Sequence, residues 1–152
     1  MKIEDLMTRN VMTVNLNDRA STAGRLMWEC DCGAIPVVND GGRTVGMITD
    51  RDICMSTVLQ DRSPGAIPVS EAMSKELHAV GPQDDLTSAE DLMRRHQIRR
   101  VPVLDVDGRA VGILSLADVV RAAGDGSPRR SGRVSHDVTA TLANICEPRA
   151  SM

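Results

Sequence analysis

"AIPVVNDGGRTVGMITDRDI", residues 34–53, returns as "RVPVLDVDGRAVGILSLADV", residues 100–119. Each stretch opens on a short apolar run holding a proline and passes through a glycine-bearing turn. A second apolar run follows, then a hydroxyl residue and, three positions on, an aspartate. The offset is 66 residues and extends upstream without a gap: Met7 meets Met73, Val14 meets Val80, Asp18 meets Asp84, and Leu26-Met27 meet Leu92-Met93. Over 7–53 against 73–119, 13 of 47 positions are identical, and pairs such as Ile35/Val101 and Thr49/Ser115 keep their character. A fixed period of this size means one supersecondary unit used twice.

Each copy reads as β-α-β-β-α, an α/β (α+β) unit. A short extended piece (11–14, 77–80) precedes a helix for which Asp18 or Asp84 is the expected N-cap. The apolar stripe is Ala20, Ala23, Met27 and Cys30 in one copy, and Leu86, Ala89, Met93 and His96 in the other, at helical spacing. A strand opening at a proline follows, "IPVV" or "VPVL". The turn "NDGG" or "DVDG" then leads to the hairpin partner "RTVGMI" or "RAVGIL". The second helix starts at Thr49 or Ser115. One such unit, under about 60 residues, buries little core alone, so the two are expected to pack about a pseudo-twofold axis. The expected boundaries are 1–60 for the first repeat with its N-terminal segment, 61–69 for a linker, 70–122 for the second repeat and 123–152 for a tail. That tail is glycine-, serine- and arginine-rich at its start. Beyond it, Ser135 is an expected cap for a short helix with Val138, Leu142 and Ile145 on one face.

The composition restricts the function classes. Apolar residues are 41% of 152, but with no Phe, no Tyr and only Trp28 the core must be aliphatic. Net charge is −3, which argues against a nucleic-acid binder, and the missing aromatics remove stacking platforms for single strands. No apolar run approaches a membrane span and no signal-peptide core is visible, so no membrane partner and a cytoplasmic location are expected. Cys30, Cys32, Cys54 and Cys146 are too irregular for a disulfide framework. Cys30-x-Cys32 has no second ligand pair at zinc spacing, so these read as buried or half-buried thiols in a reducing cell. His78, His96 and His136 look scattered, without a ligand pattern. No nucleophile–base constellation and no phosphate loop of the Walker type stands out, so neither a catalytic residue nor a metal site is assigned.

Within "GMITDRDI" (46–53), two aspartates flank Arg51. They read as metal or acid–base groups, as a helix start, or as a ligand grip. The second copy, "GILSLADV", weakens the first of these: Asp50 aligns with Leu116 and Arg51 with Ala117. Asp52 keeps a counterpart in Asp118. Thr49-x-x-Asp52 and Ser115-x-x-Asp118 are each close to a capping box, and from one copy alone the cap is the first reading. Cap and grip are compatible.

The tandem arrangement resembles the CBS-domain pair, or Bateman module, over about residues 1–122. The carrying elements are "GAIPVVNDGGRTVGMITDRDI" and "HQIRRVPVLDVDGRAVGILSLADVV". It is similar to the small stand-alone bacterial CBS proteins of the hypoxic-response type. The resemblance implies a regulatory module rather than an enzyme, a homodimer through the CBS helices, and an unknown target protein. It requires no cofactor; its ligand class is an adenosine nucleotide (AMP, ADP, ATP) or S-adenosylmethionine. The alternative is a ligand-independent dimerisation or interaction module. The family's ribose motif, Gly–apolar–x–Thr/Ser–x–x–Asp, is matched from Gly46 to Asp52 and from Gly112 to Asp118. A carboxylate has only acceptors, which suits the two donors of a ribose diol. The resemblance groups Thr49 and Asp52 with Arg99 and Arg100 as site one, and Ser115 and Asp118 with Gly33 and Ala34 as site two. Site one then has two guanidiniums for a phosphate; site two has none and takes a less anionic adenosine compound or stays empty. Trp28, aligned with Arg94, reads as a local lid or a subunit contact.

Overall fold

The computed structural model describes residues 1–124 together with 141, 142 and 145. It falls into two compact units that cut across the sequence halves. One comprises 10–77 and 104–111; the other comprises 1–9, 78–103 and 112 onward. The leading segment 1–9 therefore belongs with the second repeat's helices and strands.

In the first of these units, β1 (Val14–Asn15) runs parallel to β2 (Ala34–Val38), and β2 pairs antiparallel with β3 (Thr44–Thr49). The register sets Ala34 opposite Thr49 and Ile35 opposite Ile48. Helix α1 (Ala20–Glu29) lays Ala20, Ala23 and Met27 on Val14, Ile35, Val37 and Ile48. Helix α2 (Asp50–Gln60) follows β3 directly. A 3-10 turn at Pro64–Ala66 and the short helix α3 (Val69–Ala72) bring Ile67, Val69 and Ala72 into the same core. The tip of the second hairpin also belongs here: Thr44 N–H donates to Gly108 O at 2.9 Å.

The other unit holds α4 (Leu86–His96), β4 (Arg100–Leu104) up to Val103, the hairpin partner β5 (Ala110–Ser115) from Gly112, and α5 (Leu116–Gly124). Its core is Ile3, Met7, Val80, Leu86, Ala89, Met93, Val101, Val103, Leu114 and Val119, all buried. Thr141 and Ile145 are buried helical residues, and Leu142, expected to share a face with Ile145, is exposed; Ser135 and Val138 lie outside the described residues.

The same local contacts recur at positions 66 apart. Val14 bridges Val37 and Val80 bridges Val103, both parallel. Met47 bridges Ser74 and Ile113 bridges Thr8; Arg19 bridges Pro68 and Asp85 bridges Lys2. A leading segment thus lines the edge of a hairpin strand and the start of a helix in both units.

Three expectations about local structure are corrected. Asp18 and Asp84 do not cap α1 and α4. Their carboxylates accept from Asn15 N at 2.9 Å and Gly81 N at 2.7 Å, closing the preceding turn. The first helical N–H groups are met by backbone instead: Ala20 N donates to Ile67 O at 2.8 Å and Leu86 N to Met1 O at 3.0 Å. Second, Pro36 and Pro102 sit third in their strands rather than first. Pro36 is tolerated because β1 reaches only Val37 and Val38, so no ladder bond is asked of it on that edge. Third, Cys30 is not on the buried stripe. α1 ends at Glu29, and Cys30, Cys32 and Cys54 are exposed thiols; Cys146 lies outside the described residues.

Lys2 Nζ meets Asp85 Oδ1 at 2.9 Å. That hydrogen bond and its charge hold the Asp85 carboxyl below the ordinary carboxylate range. A carboxyl lowered by folding contributes stability above its unfolded pKa and loses it as pH falls through the folded one. Both groups are exposed, so the contribution is small.

Gly46 and Gly112 are where the leading segments come closest. A Cβ on Gly46 would overlap Ser74 O, and one on Gly112 would overlap Met7 Sδ and lie 3.1 Å from Thr8 O. The motif glycines are therefore explained by packing. By contrast, a Cβ on Gly24 in α1 meets only Ile53 Cδ1 at an ordinary 3.7 Å. Gly46→Ala is expected to destabilise by about 1–3 kcal/mol, whereas Gly24→Ala is expected to stabilise by about 0.5–1 kcal/mol. Urea unfolding midpoints moving in opposite directions check both.

Candidate functional site

Thr49 ends β3 in an extended conformation and opens α2. Its Oγ1 accepts from Asp52 N at 3.1 Å, and Asp52 Oδ2 accepts from Thr49 N at 2.9 Å. This is a complete capping box, so the structural role of the pair is real. It uses one carboxylate oxygen. Among the described residues, Asp52 Oδ1 carries no hydrogen bond, which leaves an acceptor oxygen at a half-buried position beside a helix N-terminus. Gly33 and Ala34 lie against this start: Asp50 N donates to Gly33 O at 3.3 Å, and Ala34 is Thr49's strand partner. Asp50, which has no counterpart in the other repeat, accepts from its neighbour Arg51 N at 2.7 Å and is exposed.

The second grip has the same plan with a different occupancy. Asp118 Oδ2 accepts from Ser115 N at 2.8 Å and from Ser115 Oγ at 2.6 Å, while Ser115 Oγ lies 3.2 Å from Asp118 N. Asp118 is 8% exposed, and its Oδ1 is taken by the guanidinium of Arg121. Arg121 itself remains 71% exposed along its side chain. The first grip thus presents an open acceptor; the second is latched by a mobile-length cation one turn along its own helix. Arg121 was not singled out from the sequence, although acid and arginine at i,i+3 on a helix are a visible pairing signal.

Arg99 and Arg100 are exposed at the start of β4, and Leu116 N donates to Arg99 O at 2.8 Å. Each unit therefore sets the residues before its central strand beside the helix start of the same repeat: Gly33 and Ala34 by Thr49 and Asp52, Arg99 by the Ser115–Asp118 turn. The groupings expected from the resemblance take one partner from each unit.

His78 and His96 are not scattered. Their rings stack, with centroids 3.5 Å apart and planes inclined by 25°. His136 lies outside the described residues. Trp28 is 89% exposed, and α2 has no fully buried residue, with Val58 67% and Leu59 78% exposed.

The family profile described as CBS domain matches residues 3–56 and 69–125. The CBS domain-containing protein YhcV of Bacillus subtilis is 45% identical over 117 residues, 77% of this chain and 81% of YhcV. Hypoxic response protein 1 of Mycobacterium tuberculosis is 30% identical over 146 residues, 96% of this chain and 94% of that protein. Among solved structures, Hypoxic Response Protein I with two coordinated zinc ions superposes with a TM-score of 0.71 at 31% identity, covering 80% of this chain and 98% of that one. CBSX2 in complex with AMP superposes with a TM-score of 0.68 at 27% identity, covering 80% and 95%. Among the described residues, no helix is long and apolar enough to cross a membrane.

Removing either half of the first capping box is expected to cost about 0.5–2 kcal/mol in the unliganded protein. Thr49→Ala and Asp52→Ala should both lower the urea midpoint, and Thr49→Ser should restore it.

Proposed function

Because the chain belongs to the CBS-domain family, carrying two such domains in tandem, we propose that it is a regulatory sensor of an adenosine-containing ligand that modulates a partner protein. The ligand class is AMP, ADP, ATP or S-adenosylmethionine. The observation that carries this is Asp52: a capping carboxylate with its second oxygen unclaimed among the described residues, next to the Thr49 hydroxyl. A ribose diol supplies the two donors such a group lacks. The AMP complex of CBSX2, a relative of the same fold, supports the ligand class. Arg99 and Arg100 are proposed to supply the charge that a phosphate-bearing ligand needs. Ser115 and Asp118 form the second grip, which a ligand enters by displacing Arg121.

Isothermal titration of the full chain with each of the four compounds tests this. Saturable binding is expected, lost in Asp52→Ala and kept in Thr49→Ser. Replacing Arg99 and Arg100 by Ala should weaken nucleotide binding about tenfold or more, the worth of a charge-assisted hydrogen bond, with little effect on S-adenosylmethionine. Double-mutant cycles of the arginines with Asp52 and with Asp118 assign them to one grip. Absence of both heat and thermal shift with all four compounds would sink the sensor reading for this class.

The competing reading is a ligand-independent dimerisation module. It is favoured by the apolar exposure of α2 and Trp28, a face that a second copy of the chain would cover. The two are compatible, since a sensor needs an output surface. In light-scattering measurements, Leu59→Asp and Trp28→Ala are expected to shift the molar mass from dimer toward monomer. Unchanged mass in both variants removes this face from the interface.

A further inference from the structure

Asp118 and Arg121 stand one turn apart on α5, in the same compact unit as Ser115. Asp118 Oδ2 is held by Ser115, and Nη2 of Arg121 donates to Oδ1. The two partners differ in setting: the carboxylate is buried and the arginine side chain is exposed. An arginine carries five N–H donors. Among the described residues, the other nitrogens of this guanidinium carry no hydrogen bond. The first repeat differs here, since Arg121 aligns with Met55, an uncharged residue one turn beyond Asp52.

We propose that Arg121 sets the specificity of the second grip. Released from Asp118 by an incoming ribose diol, its guanidinium turns to the phosphate of the same ligand, so this grip prefers phosphate-bearing adenosine compounds to uncharged or cationic ones. The inference rests on the sensor reading and extends it to this one site. Cβ atoms three residues apart on a helix are about 5–6 Å from each other, and the long arginine stem reaches past that span. A nucleoside monophosphate carries a diol and a 5′-phosphate on one ribose: donors for the acid and an anion for the base. Taking Arg121 from Asp118 costs a charge-assisted contact to a buried oxygen. The diol restores the bond at Oδ1, and the phosphate gives the planar guanidinium a partner that it can grip with two N–H groups. Adenosine restores the acid's bond but leaves the guanidinium without an anion. The sulfonium of S-adenosylmethionine brings a like charge. Arg99, whose carbonyl accepts from Leu116 N at 2.8 Å, adds a second cationic residue at the same helix start. Gly33 and Ala34 alone pointed to a less anionic ligand; Arg121 reverses that preference.

The test is an NMR titration of the ¹⁵N-labelled full chain with adenosine and, separately, with AMP. The amides of Ser115, Leu116 and Asp118 report on the second grip, and those of Thr49, Asp50 and Asp52 on the first. In the wild type, AMP is expected to bind at the second set about tenfold more tightly than adenosine, the worth of a hydrogen bond between charged groups. Arg121→Ala is expected to weaken AMP there by about the same factor and to tighten adenosine, which no longer has a guanidinium to displace. Arg121→Lys should keep part of the preference. Spectral dispersion shows whether each variant folds, and Arg121→Gln replaces an alanine variant that does not. An unchanged ratio of the two affinities in Arg121→Ala overturns the proposal: joint tightening makes Arg121 a plug alone, and joint weakening makes it a structural support. Shifts at the first set with none at the second also overturn it and leave the sensor reading standing. No shift at either set removes AMP from the sensor reading as well.

Discussion

An N–H at the start of a helix needs an acceptor, and here the acceptors for α1 and α4 come from backbone far along the chain. Ile67 O serves Ala20 and Met1 O serves Leu86. The same two segments then run on to pair with β3 and β5, through Ser74 and Thr8. Gly46 and Gly112 follow from this, because a Cβ would overlap the Ser74 carbonyl at the first and the Met7 side chain at the second. Asp18 and Asp84 are released from capping and tighten the preceding turns instead. The edge bridges, the helix starts and the glycines of the motif are consequences of one arrangement, repeated.

In the proposed grips, a structural role and the proposed binding role would share one side chain. A carboxylate has two oxygens. In Asp52 one closes the capping box and the other is open among the described residues. In Asp118 both are used, one by Ser115 and one by Arg121. Capping fixes the rotamer, so the open oxygen is presented without a further entropic cost to order it. Cap and grip are thus successive uses of the same geometry rather than rivals.

The internal repeat made the strands, helices, turns and both Thr/Ser-x-x-Asp motifs legible in the sequence. It also acted as a filter against whatever occurs once. His78 aligns with Met12, His96 with Cys30 and Arg121 with Met55. None has a counterpart of its own chemistry, so none stood out. The stacking of His78 on His96 depends on where α4 stops relative to the stretch before Val80, and local pattern does not encode that long-range placement. The capping error had the same origin. Asp at the start of a helical stripe is a sound local signal, overridden by a carbonyl supplied from residues 1 and 67.

Divergence between the copies is therefore where the two proposed grips differ. The shared scaffold gives each repeat a capped helix start with an acid on it. The contact of Arg121 with Asp118 would change what the proposed second grip asks of a ligand. An exposed guanidinium pair is worth about 1 kcal/mol or less. Yet Asp118 is buried, and losing that partner without replacement would leave a desolvated oxygen unsatisfied. A diol that donates to Oδ1 replaces the guanidinium bond for bond, so entry at the second grip is an exchange, whereas at Asp52 it is an addition. At Asp52 a ligand displaces solvent, whereas at Asp118 it must also offset the lost contact with a guanidinium. The first grip is accordingly the stronger candidate for primary occupancy, and the second is suited to a ligand whose remaining contacts make good the difference.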